Sequence, residues 1–149
     1  MMLKKYCLLL LAALLLSGCD GNTQLSTQSG SPESVAEAFF DAIYNAKDLD
    51  KAKSMATADY AKLLASYGTA RQAGRILYNM NFDTVQINVN RSGRNLREQY
   101  QNDANIQLIL DGEFDGKRVQ EVRTVQLIRQ RGSWLVSEVQ ADKFSTSIR

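Results

Sequence analysis

Apolar residues recur every three or four positions between Pro32 and Met80, and every second position from Phe82 onward. That change of period predicts helices first and strands afterwards. Ser31-Pro32-Glu33 reads as a helix start, with a Ser cap, Pro at the first helical position and an acid in the first turn. Val35, Phe39 and Ile43 form one row and Ala36, Phe40 and Tyr44 the next, while Glu33, Glu37 and Asp41 line the opposite face. Burying Phe39, Phe40 and Ile43 stabilises by about 1.5–3 kcal/mol each, so this is the expected principal helix. Asn45-Ala46-Lys47-Asp48 breaks it. A short second helix follows with Leu49, Ala52, Met55 and Ala56 inward. Thr57 then caps a third over Ala58 to Tyr67, with Tyr60, Leu63, Leu64 and Tyr67 inward and Gly68 at its end. The fourth, Ala70 to Met80, turns Ala73, Ile76, Leu77 and Met80 inward despite the unfavourable Gly74.

The strands begin with Val85, Ile87 and Val89 alternating with Gln86, Asn88 and Asn90. Arg91 to Asp103 is polar and predicts a loop, with a strand extension near Tyr100. Ala104 to Phe114 predicts a second strand with Ile106, Leu108 and Leu110 on one face, and Asp115-Gly116 a tight hairpin. Lys117 to Gln130 is the third strand, Arg131-Gly132 the next turn, and Ser133 to Ala141 the fourth strand. Helices followed by a strand meander predict an α+β domain, with N-terminal helices packed on one face of a curved antiparallel sheet of about four strands.

The first residues change the picture. Lys4 and Lys5 precede an apolar run from Cys7 to Leu16, with small residues after it, the architecture of a secretory leader. The run is too short for roughly 30 Å of hydrocarbon, which takes about 20 residues. Leu16-Ser17-Gly18-Cys19 resembles the lipobox of bacterial lipoproteins. That resemblance implies cleavage between Gly18 and Cys19 and a diacylglyceryl thioether on Cys19. Two or more acyl chains hold stably where one is marginal, so the domain is expected on a membrane surface, facing the periplasm or cell exterior. Asp20 matches the position associated with inner-membrane retention in enterobacterial lipoproteins. From Asp20 to Ser31 the chain is small and polar, a tether that places the domain about 20 Å from its anchor. The expected organisation is a leader over 1–18, lipidated Cys19 and tether over 19–31, one domain over 32–144 and a tail over 145–149.

Charge and composition narrow the chemistry. Lys4 and Lys5 account for the whole formal charge of +2, so the chain from Cys19 onward is neutral, and nucleic-acid binding loses its simplest support. Cys7 leaves with the leader and Cys19 is lipidated, so no disulfide is expected. The chain has no histidine. The commonest general base and metal ligand are therefore missing, and without a thiol there is no reason to expect a metal or other cofactor.

Val35-Ala36-Glu37-Ala38-Phe39-Phe40-Asp41-Ala42-Ile43-Tyr44, then Asp48-Leu49-Asp50-Lys51-Ala52, the Asp115-Gly116 hairpin, and Gly132-Ser133-Trp134-Leu135-Val136 follow one another in an order and spacing of their own. Together they resemble the nuclear transport factor 2-like superfamily, with its cystatin-like cone, and more closely lipoproteins carrying one such domain behind a lipobox. The likeness covers about Pro32 to Gln140. It implies a concave sheet and, in some relatives, pairing of sheet faces into a homodimer. It does not settle function.

Two functional classes follow. The leading expectation is a non-catalytic lipoprotein whose domain binds a protein, peptide or small apolar ligand at the cell envelope. Its candidate contacts are Tyr44, Tyr67, Phe82, Arg91, Arg94, Arg97 and Trp134, with Phe82 and Phe114 as an apolar lip. Lys62, Arg71, Arg75, Arg91, Arg94 and Arg97 outnumber Asp83 and Glu98 between Tyr60 and Gln101, a surplus suited to an anionic surface or acidic partner. Trp134 either stacks on a ligand or belongs to the core. The alternative is an isomerase- or dehydratase-type enzyme, in which Tyr44, Tyr60, Tyr67 or Tyr78 polarises a carbonyl while Asp41, Asp59 or Asp103 takes a proton. It requires a tyrosyl hydroxyl and a carboxylate to converge; otherwise those tyrosines pack with their hydroxyls satisfied.

Overall fold

Helix α1 (Pro32–Tyr44) forms where the apolar stripe begins. The Ser31 hydroxyl accepts the Ser34 amide at 3.3 Å, and Pro32 supplies a preset φ at the first position. Val35, Ala36, Phe39, Phe40, Ala42 and Ile43 are all buried. The computed structural model describes residues 30–92 and 100–141. Gly18, Cys19, Asp20, Arg94, Arg97 and the tail over 145–149 lie outside the described residues.

After α1 the chain reverses through Lys47, whose φ of 54° is left-handed. Asp48 caps helix α2 (Leu49–Ser54) by accepting the Lys51 amide at 2.9 Å. Thr57 caps helix α3 (Ala58–Ser66), and Thr69 caps the short helix α4 (Ala70–Gln72). Here the structure departs from the expected helix over 70–80. Ala73–Leu77 is a π-turn, in which the Tyr78 amide reaches back five residues to the Ala73 carbonyl at 3.2 Å. The extra residue rotates Ile76 outward, 57% exposed, and brings Tyr78 into the core. Leu63 is a second correction. Tyr60 and Leu64 fill the space beneath α3, which leaves Leu63 on the flank, 41% exposed.

Four strands form one open antiparallel sheet in the order β1-β2-β3-β4: β1 Thr84–Val89, β2 Asp103–Phe114, β3 Lys117–Gln130 and β4 Ser133–Ala141. Both hairpins close with two residues. Asp115 and Gly116 have φ of 52° and 69°, the left-handed pair that matches the twist of the flanking strands. Ile106, Leu108, Leu110, Val125, Leu127 and Val136 face the helices and are buried. The molecule is thus α+β, with a helical layer on one face of a four-stranded sheet.

Both edges receive help from the helical layer. At β4, the Val136 amide donates to the Met55 carbonyl and the Val136 carbonyl accepts from Thr57, each at 2.8 Å. At β1, the Glu37 carboxylate accepts the Val89 amide at 3.1 Å. Glu37 therefore serves the sheet, whereas the helical pattern alone gave it to solvent. β4 also carries a bulge opposite Gln126 and Leu127, where Ser137 donates its hydroxyl to the Gln126 carbonyl at 3.2 Å.

Candidate functional site

Aromatic side chains form a continuous path from the core to one end of the sheet. Phe40 packs edge-on to Phe39, with ring centroids 5.6 Å apart, and stacks parallel on Tyr44 at 6.1 Å. Tyr44 in turn meets Phe82 edge to face at 5.2 Å and 87°. Two glycines permit this arrangement. A Cβ on Gly74 would lie 2.9 Å from Tyr44 Cε1, so the π-turn offers the phenol a flat backbone seat. A Cβ on Gly112 would collide first with the Thr84 carbonyl and would also lie 2.8 Å from Phe82 Cδ1, so β1 and the Phe82 ring approach β2 closely where a side chain is missing.

Beyond these rings opens a cleft of about 330 Å3, lined by Ile43, Tyr44, Lys47, Arg71, Met80, Asn81, Phe82, Asp83 and Phe114. The end of α1 contributes Ile43 and Tyr44, the strand ends contribute Phe82 and Phe114, and α4 contributes Arg71. Phe114 is 43% exposed, an unusual position for so large an apolar group. Lys47 and Arg71 are exposed at this cleft, and neither has an ion-pair partner among the described residues. The Asp83 carboxylate accepts the Asp115 amide at 2.9 Å, an attachment that steadies the Phe114–Asp115 turn. Lys47 and Asn79, flanking the cleft in sequence, are both left-handed, with φ of 54° and 52°. That conformation costs a lysine roughly 1–2 kcal/mol, whereas asparagine adopts it readily.

Behind the cleft lies a polar cluster that sequence reasoning missed. Arg123 faces inward from β3 and is only 6% exposed. Its guanidinium donates to Glu121 Oε2 at 2.9 Å, to the Val122 carbonyl at 2.8 Å and to the Tyr78 carbonyl at 3.3 Å. The signal was present in the alternation: Arg123 shares the inward parity of Val125 and Leu127. The tyrosines nearby are held neutral. Burial pushes the Tyr60 hydroxyl up to about 12, and raises those of Tyr44 and Tyr78 further.

The convergence required for a Tyr/Asp enzyme does not occur at these residues. Tyr44 donates to the Gly74 carbonyl at 3.3 Å, and Tyr60 and Tyr78 hydrogen-bond each other at 3.1 Å. Asp41 pairs with Asn45 and Lys51, Asp59 with Lys62, and Asp103 is exposed at the start of β2. No acid–base pair is assembled from the tyrosines and aspartates that the sequence offered for it.

Of the candidate contacts, the structure brings Tyr44 and Phe82 together, with Phe114 beside them. Tyr67 is half-buried against the core beyond α3. Arg91 is exposed past the far end of β1. Trp134 is 7% exposed and packs edge-on to Tyr100, with the Arg129 guanidinium 5.9 Å from its ring centre. Since Trp134 pairs with Arg129 while Phe114 pairs with Lys117, Trp134 lies at the opposite end of the sheet from the cleft.

A second hollow of about 580 Å3 runs along Thr84–Gln86, Asp111–Glu113, Gly116 and Arg118. It is larger but polar. Its guanidinium is engaged by the Asp111 carboxylate, which Arg118 holds below the usual carboxylate range. Among the described residues no cluster of ligating side chains suits a metal ion, and no helix is long and apolar enough to cross a membrane. No protein family, characterised protein or solved structure matches this chain.

Proposed function

We propose that this protein is a lipid-anchored, non-catalytic binding domain of the bacterial cell envelope, built on a nuclear transport factor 2-like cone. The aromatic cleft of Tyr44, Phe82 and Phe114 carries the binding half of that reading, because it is open, partly apolar and flanked by two cations that have no ion-pair partner among the described residues. The hydroxyls of Tyr44, Tyr60 and Tyr78 behind it are engaged with protein partners, which suits packing and recognition better than proton transfer. The anchoring half rests on Gly18-Cys19 after the apolar leader, with Asp20 favouring the inner membrane. A tethered domain of this kind meets ligands or envelope proteins near the bilayer without crossing it.

A second copy is the proposed partner at the sheet face turned away from the helices. There Ile109 stands directly opposite Val122, and Ile128 opposite Leu135, with amides and hydroxyls between the two apolar pairs. Light scattering of the purified protein reads the resulting dimer mass, and a monomer at all concentrations would remove that partner.

Two measurements test the main reading. A fatty-acid probe fed to cells should label the wild type and spare Cys19→Ala. Photo-crosslinkers placed at Phe114 and, as control, at Asp59, exposed on α3 away from both the cleft and the outer sheet face, should give adducts from the first position only. Equal labelling of both proteins defeats the anchor, and equal crosslinking from both positions defeats the cleft.

A further inference from the structure

The cleft combines features that together specify a chemical class of ligand. Its apolar lining comes from Ile43, Met80, Phe82 and Phe114. Lys47 and Arg71 line it too, without ion-pair partners among the described residues, although the other lysines of the helical layer, Lys51, Lys53 and Lys62, each lie beside an aspartate. The third charged group, Asp83, is held by the Asp115 amide. Two cations against one anion leave a single net positive charge. That balance suits a monoanion, whose single charge neutralises it. The volume, about 330 Å3, lies near the lower end of the roughly 300–1,000 Å3 typical of ligand sites.

We propose that the cleft takes a small amphiphilic monoanion, a carboxylate carrying a short apolar chain or ring. The carboxylate pairs with Lys47 and Arg71, and the tail lies against Phe82, Phe114, Met80 and Ile43. Arg71 offers a planar fork that a carboxylate matches with two parallel hydrogen bonds. Lys47 adds a compact charge from the reversal after α1. Exposed Phe114 covers the tail and loses water contact on binding. This assignment rests on the binding-domain reading and narrows it from an unspecified ligand to one charge and one size.

The test is calorimetric titration of the full chain in lipid nanodiscs, with empty nanodiscs as the blank for partitioning. Sodium octanoate supplies head and tail, octanol the tail alone, and sodium acetate the head alone. Octanoate should saturate the protein, octanol should bind about tenfold more weakly, and acetate should give no saturable heat. Lys47→Gln/Arg71→Gln should lower octanoate affinity about tenfold and leave octanol unchanged. Both side chains are exposed, so circular dichroism should report an unaltered fold. Octanol binding as tightly as octanoate, or a double variant that keeps full octanoate affinity, overturns the carboxylate assignment and leaves an apolar binding cleft standing. Absence of saturable binding by either chain-bearing probe overturns the assignment and the cleft together.

Discussion

The phenol of Tyr44 rests on the backbone of Gly74, donating its hydroxyl to that residue's carbonyl at 3.3 Å, where any side chain at 74 would collide with the ring. Two effects oppose each other in Gly74→Ala. Replacing a helical glycine ordinarily stabilises by about 0.5–1 kcal/mol. Here the new methyl would stand 2.9 Å from Tyr44 Cε1, and the ring is hemmed in by Phe40 on one side and Phe82 on the other. Overpacking of this kind costs roughly 1–3 kcal/mol, so the steric term wins. Urea unfolding should show a net loss of about 1 kcal/mol. A gain would mean that Tyr44 is free to move.

Arg123 joins the sheet to the π-turn through the Tyr78 carbonyl and holds Glu121 beside it. Removing one member of a buried ion pair typically costs about 3–5 kcal/mol, because the other is left uncompensated. The Glu121 side chain keeps 22% exposure, which moves the expected loss for Arg123→Ala to the lower end, about 3 kcal/mol. Arg123→Met with Glu121→Leu removes both charges and keeps bulk, and should recover most of that loss. Denaturant midpoints of the single and double variants decide the matter; a double variant no better than the single would show that the pair itself stabilises.

The buried tyrosines set an alkaline limit. An unfolded tyrosine ionises near 10.0, whereas burial raises Tyr60 to about 12 and Tyr44 and Tyr78 higher still. Above about pH 10 the unfolded chain releases protons that the native state retains, so unfolding becomes easier. Their contribution is complete below pH 10 and declines as the medium passes through the Tyr60 value near 12. Melting temperature should be level to about pH 10 and then fall, with the tyrosinate absorbance of Tyr44, Tyr60 and Tyr78 appearing only as the fold is lost. Tyr60→Phe should soften that decline, and it should also lower stability at neutral pH by about 1 kcal/mol through the lost hydroxyl pair with Tyr78.

Much of this architecture was legible because the patterns were local. The period of four in Val35, Phe39 and Ile43 and the alternation of Ile106, Leu108 and Leu110 each required only neighbouring positions, and both faces are buried as expected. The π-turn was not legible, since a fixed helical period cannot announce where one extra residue enters. Ile76, expected inward, therefore turned to solvent, while Tyr78 packs in the core. Arg123 had the parity of a core residue, yet its charge argues for the surface until Glu121 and the Tyr78 carbonyl are seen beside it. Phe82 and Phe114 announced themselves only as aromatics at strand ends. Their meeting with Lys47 and Arg71 depends on how the end of α1 packs over the first hairpin, which no single stretch encodes.

Glu37 provides the last test, because its role joins helix to sheet edge. Its carboxylate accepts the Val89 amide at 3.1 Å, near the end of β1, the strand with no neighbour beyond it in the sheet. An open edge offers unpaired amides to other chains, and a charged group beside it discourages that pairing. Hydrogen bonds to charged groups contribute about 1.5–3 kcal/mol. Glu37 is half-buried, so Glu37→Ala should lose about 1.5 kcal/mol in urea unfolding. Glu37→Gln keeps an acceptor without the charge and should fall between the two. The edge argument predicts a separate effect, visible as faster growth of light scattering on mild heating. If aggregation of Glu37→Ala follows its stability loss alone, as judged against Arg123→Ala, the carboxylate is only a local tie. If Glu37→Ala aggregates faster than the less stable Arg123→Ala, its charge guards the edge of β1.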